Sequence, residues 1–164
     1  MAVSKKERRF WKIMFNMRLE NYPEHHDHLN LRETDLDNEG LAFLCGRIKT
    51  VNRLDLDHCL IDDDGIKHIS QIAHIEELRL KDVALSDAAI PDLNRLKTLR
   101  LLHLGGTQIS CEGAAQLSSL THLKTLLITP DIINKEAIAS FNARHPECDL
   151  IINYKCHIPG IERE

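Results

Sequence analysis

Residues 99–109 read Leu99-Arg100-Leu101-Leu102-His103-Leu104-Gly105-Gly106-Thr107-Gln108-Ile109, and the triplet Leu102-His103-Leu104 decides the fold. It alternates apolar, polar, apolar, which is the period of an extended strand, so both leucines point to one face and His103 to the other. Working outward, the triplet returns as Leu54-Asp55-Leu56, Leu78-Arg79-Leu80, Leu126-Leu127-Ile128 and Leu150-Ile151-Ile152, at a constant spacing of 24 residues. Leu29-Asn30-Leu31 precedes the first of these by 25, one residue out of phase. Flanking positions keep step with the triplets. Val51, Ile75, Leu99 and Leu123 stand three residues before each leading leucine, and Ile61, Leu85, Ile109 and Ile133 stand seven after it. A fixed period of this length predicts similar units that stack to share one core.

The rest of each unit has its own chemistry. At the turn after the strand stand Thr34, Cys59, Val83, Thr107 and Asp131, where a polar side chain can bond the backbone of the bend. Val83 has no such group, so that turn must be satisfied in another way. Three residues on, Asp37, Asp62, Ser86, Ser110 and Asn134 are all strong helix N-caps. Acidic residues follow in the first turn (Glu39, Asp63, Asp64, Asp87, Glu112, Glu136), favourable at the positive end of a helix dipole. Apolar spacing then continues through Ile66, Ile69 and Ile72, or Ala114, Leu117 and Leu120. The unit is therefore strand, turn, short helix. Pro91 falls inside one of these helices, removes a hydrogen bond there and predicts a distorted or partly 3-10 segment.

Leu99-x-x-Leu102-x-Leu104-x-x-Thr107-x-Ile109 with Gly113-Ala114, and Val51-x-x-Leu54-x-Leu56-x-x-Cys59-x-Ile61 with Gly65, resemble the leucine-rich repeat of the ribonuclease-inhibitor-like, helix-containing class. The resemblance covers about residues 27–154. It implies an α/β fold, a right-handed solenoid with a parallel concave sheet of about six strands and short helices on the convex side. For function it implies only a binding scaffold. Residues 1–26 are expected to form an N-terminal cap helix and lead-in, and residues 155–164 a C-terminal tail. Ser4 with Glu7 reads as a capping box opening a helix that carries Phe10, Trp11, Ile13, Met14, Phe15 and Met17 nearly all round, which suits burial against the first repeat. At the other end Tyr154, Ile158 and Ile161 could fold over the last strand, with Pro159-Gly160 turning the tail.

Composition excludes several classes. With 43% hydrophobic and 28% charged residues the chain has ordinary globular composition. A net charge of −4 argues against nucleic acid as a partner. No apolar run is long enough for a membrane span. The basic start (Lys5, Lys6, Arg8, Arg9, Lys12, Arg18) lacks the unbroken apolar stretch of a secretory signal, and Glu7 and Glu20 count against a mitochondrial presequence. Five cysteines form no disulfide framework, so free thiols in a reducing, cytoplasmic setting are expected.

The register assigns the outward side chains to ladders. One is Asn30, Asp55, Arg79, His103, Leu127, Ile151; a second is Arg32, Asp57, Lys81, Gly105, Thr129, Asn153; a third is His28, Arg53, Glu77, Leu101, Thr125, Asp149. The first half of this face is charged and the second turns apolar, over a Gly105-Gly106 floor that would let a partner backbone approach. Asp55, Asp57, Arg79, Lys81, Leu101, His103, Leu127 and Ile151 are therefore the candidate partner-binding residues, since clustered exposed apolar groups mark contact sites.

Other constellations carry less. His25, His26 and His28 with Glu24 and Asp27 lack a rigid frame for a metal and read as a solvated lead-in loop, and Cys148, Cys156 and His157 lack paired spacing. Asp62-Asp63-Asp64-Gly65 lacks the alternation of a calcium loop. Asp55, Asp57 and His58 share a flat patch without a pocket, so no metal, cofactor or catalytic residue is expected. The expected function is non-catalytic recognition of a protein partner on the concave sheet. The alternatives are a structural subunit or assembly factor of a larger complex, or a bacterial effector or inhibitor of leucine-rich-repeat type. Self-association through the C-terminal edge strand is a further expectation.

Overall fold

A computed structural model describes residues 3–157 of the chain. Six strands follow one another across a parallel sheet: β1 (His25–Asn30), β2 (Thr50–Asp55), β3 (His74–Arg79), β4 (Leu101–Leu104), β5 (Thr125–Ile128) and β6 (Asp149–Ile152). Each pairs with the next in sequence, so the chain advances one sheet position per repeat. Leu29, Leu54, Leu78, Leu102, Leu126 and Leu150 lie directly opposite one another in register. All six are buried in one continuous core. The 25-residue first interval leaves this register intact, because the extra residue lies in the connection between β1 and β2.

Between strands run the short helices α2 (Asn38–Arg47), α3 (Asp63–Ile69), α4 (Ile90–Leu93), α5 (Cys111–Ala115) and α6 (Lys135–Arg144), stacked as a second layer. The N-caps are those read from the sequence. Asp37, Asp62, Ser86, Ser110 and Asn134 each accept a hydrogen bond from a first-turn backbone N–H. Pro91 sits in the first turn of the four-residue α4, directly after a 3-10 turn at Asp87–Ala89, so its missing N–H falls where no helical bond is needed. Thr34 and Thr107 bond the carbonyl three residues back at 2.7 Å. Val83 makes no such bond and is simply buried. The last repeat departs from its pattern: Ile133, expected inward like Ile61, Leu85 and Ile109, is exposed together with Ile132.

A second ladder ties the helix starts together. Asn38 donates to Asp62 at 2.7 Å, Ser86 donates from its N–H and hydroxyl to Asp63 at 2.8 and 2.6 Å, Ser110 does the same to Asp87, and Asn134 donates to Glu112 at 2.7 Å. Three of the first-turn acids, Asp63, Asp87 and Glu112, therefore do more than face a helix dipole: each holds the cap of the following repeat. The ladder also explains the glycines at this level. A Cβ at Gly113 would lie 2.0 Å from Asp87 Oδ1, and one at Gly65 2.6 Å from Asn38 Oδ1.

Helix α1 (Lys5–Phe15), N-capped by Ser4, closes the first repeat. It buries Trp11 completely, against Phe15 and Tyr22 with ring centroids 5.4 and 4.7 Å away. Burial of Tyr22 raises its phenol pKa to about 12. The expectation of an all-round apolar helix is corrected here, because Ile13 and Met17 face solvent. Arg47 pins the lead-in, donating to the Tyr22 carbonyl at 2.7 Å and to Glu24 at 2.8 Å.

At the far end Asn153 and Tyr154, both with positive φ, turn the chain into β7 (Lys155–His157), which pairs antiparallel with β6. The last repeat strand is thus covered by β7, which becomes the edge of the sheet. Tyr154 is exposed in the turn rather than folded over the sheet. Ile158, Pro159, Gly160 and Ile161 lie outside the described residues. No helix among the described residues is long and apolar enough to cross a membrane.

Candidate functional site

The sheet presents its outward residues in straight rows. Asn30, Asp55, Arg79, His103, Leu127 and Ile151 are successive register partners, as are His28, Arg53, Glu77, Leu101, Thr125 and Asp149. The third row is held by backbone bonds that continue past the strand ends, from Glu33 to Asp57, His58 to Lys81 and Asp82 to Gly105, each at 2.9 Å. All eight candidate residues therefore share one face of the sheet.

Their accessibility differs from the expectation of an open charged patch. Asp55 and Asp57 are only 1% exposed. Both point outward as the alternation requires, but these short side chains are roofed by longer neighbours. Arg53 donates Nε to Asp55 Oδ1 and Nη2 to Oδ2 at 3.0 Å each, and His28 Nε2 lies 3.0 Å from the same Oδ2. Burial works against the Asp55 charge, yet the hydrogen bonds from Arg53 and His28 outweigh it and hold the carboxyl below its ordinary pKa. Asp57 caps the next repeat by accepting the Lys81 backbone N–H at 2.8 Å, and Arg32 and Arg79 approach it at 3.5 Å. Arg79 Nε lies between the two carboxylates, 3.9 Å from Asp55, with no hydrogen-bond partner among the described residues. What solvent meets in this half is a mixed-charge surface: Arg32, Arg53 and Arg79, held from below by the two buried aspartates, lie beside the exposed carboxylate of Glu77 and the Lys81–Asp82 pair.

The second half is flatter. Leu101, Leu127 and Ile151 are half-buried, and β7 continues the sheet sideways beyond β6. His103 is buried between the halves, with Nδ1 unpartnered among the described residues. An orphaned buried N–H costs more than an orphaned lone pair, so the neutral ring carries its proton on Nε2. The glycine floor also differs from expectation. Gly105 is buried, and its Cβ position lies 3.1 Å from Leu127 Cδ2, so Leu127 already covers it. Gly106 has φ +72°, and a Cβ there would lie 1.8 Å from Asp82 Oδ1, so turn geometry is what requires a glycine at that position.

Burial, reinforced by the nearby Arg79 charge, pushes the His103 pKa below its ordinary value. The unfolded chain then takes up this proton at a higher pH than the folded one. Stability is complete above about pH 6.5 and falls as pH drops through the folded pKa. His103→Gln is expected to flatten the fall in urea midpoint between about pH 7 and pH 5. An unchanged slope would mean that His103 titrates as a free imidazole.

The remaining candidates do not converge. His25, His26 and His28 lie on β1, not in a lead-in loop, and turn to three different partners: Thr50 Oγ1, the Pro23 carbonyl and Asp55. Among the described residues no three His, Cys, Asp or Glu side chains group in a way that could hold a metal ion. Cys45, Cys59, Cys111 and Cys148 are free and buried, and burial pushes the thiols of Cys45 and Cys148 up to about 12. Neither a protein-family model nor a curated protein matches this chain.

Proposed function

We propose that this chain is a non-catalytic scaffold of leucine-rich-repeat type, a right-handed solenoid that takes a protein partner on the concave face of its sheet. The observation that carries the reading is the alignment of Arg79, His103, Leu127 and Ile151 across four adjoining strands. That row joins a half of fixed, mixed charges to a partly exposed aliphatic half. Such a pairing suits a contact in which apolar burial supplies affinity and the fixed charges set orientation. The buried aspartates hold their arginines in place before any partner arrives, which lowers the ordering cost of binding.

Leu127→Asp puts a charge in the aliphatic half at a position that is already partly solvated, so the fold is expected to survive. Affinity capture followed by cross-linking should recover a partner attached to the strand face of the wild-type protein, and the variant should lose it. Equal capture by a variant of unchanged melting temperature would remove the reading.

A further inference from the structure

The cap helix covers the first repeat with one side and leaves a strongly basic face on the other. Lys5, Arg8, Arg9, Lys12 and Arg18 are exposed, and none forms an ion pair among the described residues. Lys6 is different: it pairs with Glu39, on a flank that Arg9 and Ile13 share with Asp35 and Asp37, so it adds little to this face. The repeats behave in the opposite way, with Arg32, Arg53, Arg79 and Lys81 each beside a carboxylate. The whole chain carries −4, yet residues 3–20 hold six Lys and Arg against Glu7 and Glu20 alone. Ile13, at the edge between this face and that flank, is 70% exposed, and Met17, past the end of α1, is 39% exposed. Arg8, Lys12 and Arg18 line a cleft of about 750 Å³, three cations against the single carboxylate of Glu20, with Trp11 and Leu19 also in its lining.

We propose that this outer face of α1 docks the protein, end-on, to an anionic membrane surface. A lipid bilayer matches each feature. Spread cations without deep pockets suit a diffuse layer of negative headgroups, and the cleft between Arg8, Lys12 and Arg18 has room for one headgroup. Ile13 is a short aliphatic wedge of the kind that interfacial helices place among the acyl chains. The repeats taken together are net-negative and are repelled by the same surface, so the chain approaches it with α1 foremost. Trp11 and the other buried aromatic contacts stay in place throughout, so the helix binds as a docked cap and does not peel off.

The test is sedimentation with phosphatidylcholine vesicles, with and without about 30% phosphatidylserine. Binding is expected only with phosphatidylserine and should be lost at about 0.5 M salt, where the Debye length is only a few ångström. Each cation near such a surface contributes about five-fold in affinity, so Arg8→Gln with Lys12→Gln should lower binding about 25-fold, and the Lys5→Gln, Arg9→Gln pair should do the same. Ile13→Ser should weaken binding at unchanged charge. Equal binding to both vesicle types or full affinity in the charge variants would each overturn the proposal. Capture of soluble polyglutamate without vesicle binding would overturn it in favour of an acidic protein.

Discussion

Leu102→Ala is expected to lose about 2–5 kcal/mol of unfolding free energy, the range for truncating a buried leucine in a packed core. Leu102 is fully buried in the middle of the sheet, paired in register with Leu78 on one side and Leu126 on the other. A cavity there weakens two neighbour contacts at once, because in a stacked architecture each repeat is stable chiefly through the repeats beside it. The paired control is Leu60→Ala. Leu60 is 66% exposed, so its truncation should stay within about 0.5 kcal/mol of wild type. Urea unfolding of the two variants checks both values. Equal losses would mean that the leucine ladder is not the core of the stack.

The leucine ladder was legible in the sequence because its cause is periodic. Strand alternation and a constant spacing are enough to place Leu54, Leu78, Leu102 and Leu126 side by side, and the N-caps at Asp62, Ser86 and Ser110 follow from the same count. What periodicity does not encode is how long side chains lie over short ones. Asp55 points outward as counted, but Arg53, two residues earlier on the same strand and therefore on the same face, folds back over it. The D-x-D run at 55–57 flanked by Arg53 and, one repeat on, Arg79 is the signal that could have marked these carboxylates as buried. The glycines misled for a related reason. Gly105 and Gly106 read as an open floor, whereas their neighbours Leu127 and Asp82 arrive from other parts of the register. His25 to His28 read as a loop because β1 carries a run of polar residues outside the repeat motif, and pairing with β2 makes it a strand.

Asp55→Ala should have the second large effect, and its pH dependence separates charge from shape. The substitution removes the acceptor of Arg53 and His28 together. Loss of a fully buried ion-pair partner costs about 3–5 kcal/mol. Here Arg53 and His28 are 39% and 46% exposed and can turn toward water once released. The expected loss near pH 7 is therefore about 2–3 kcal/mol, the upper part of the range for hydrogen bonds to a charged group. Because the folded Asp55 pKa lies below its unfolded value of about 3.9, the wild-type advantage is complete above that pH and is lost as pH falls through the folded pKa. Stability curves of wild type and Asp55→Ala should thus run parallel at neutral pH and converge in acid. Asp55→Asn keeps the shape and one acceptor and should fall between them. If the gap between wild type and Asp55→Ala did not narrow at all as pH fell below the unfolded value of about 3.9, its origin would be lost packing rather than lost charge. The buried carboxylate could not then be what holds the arginines of the sheet face in position.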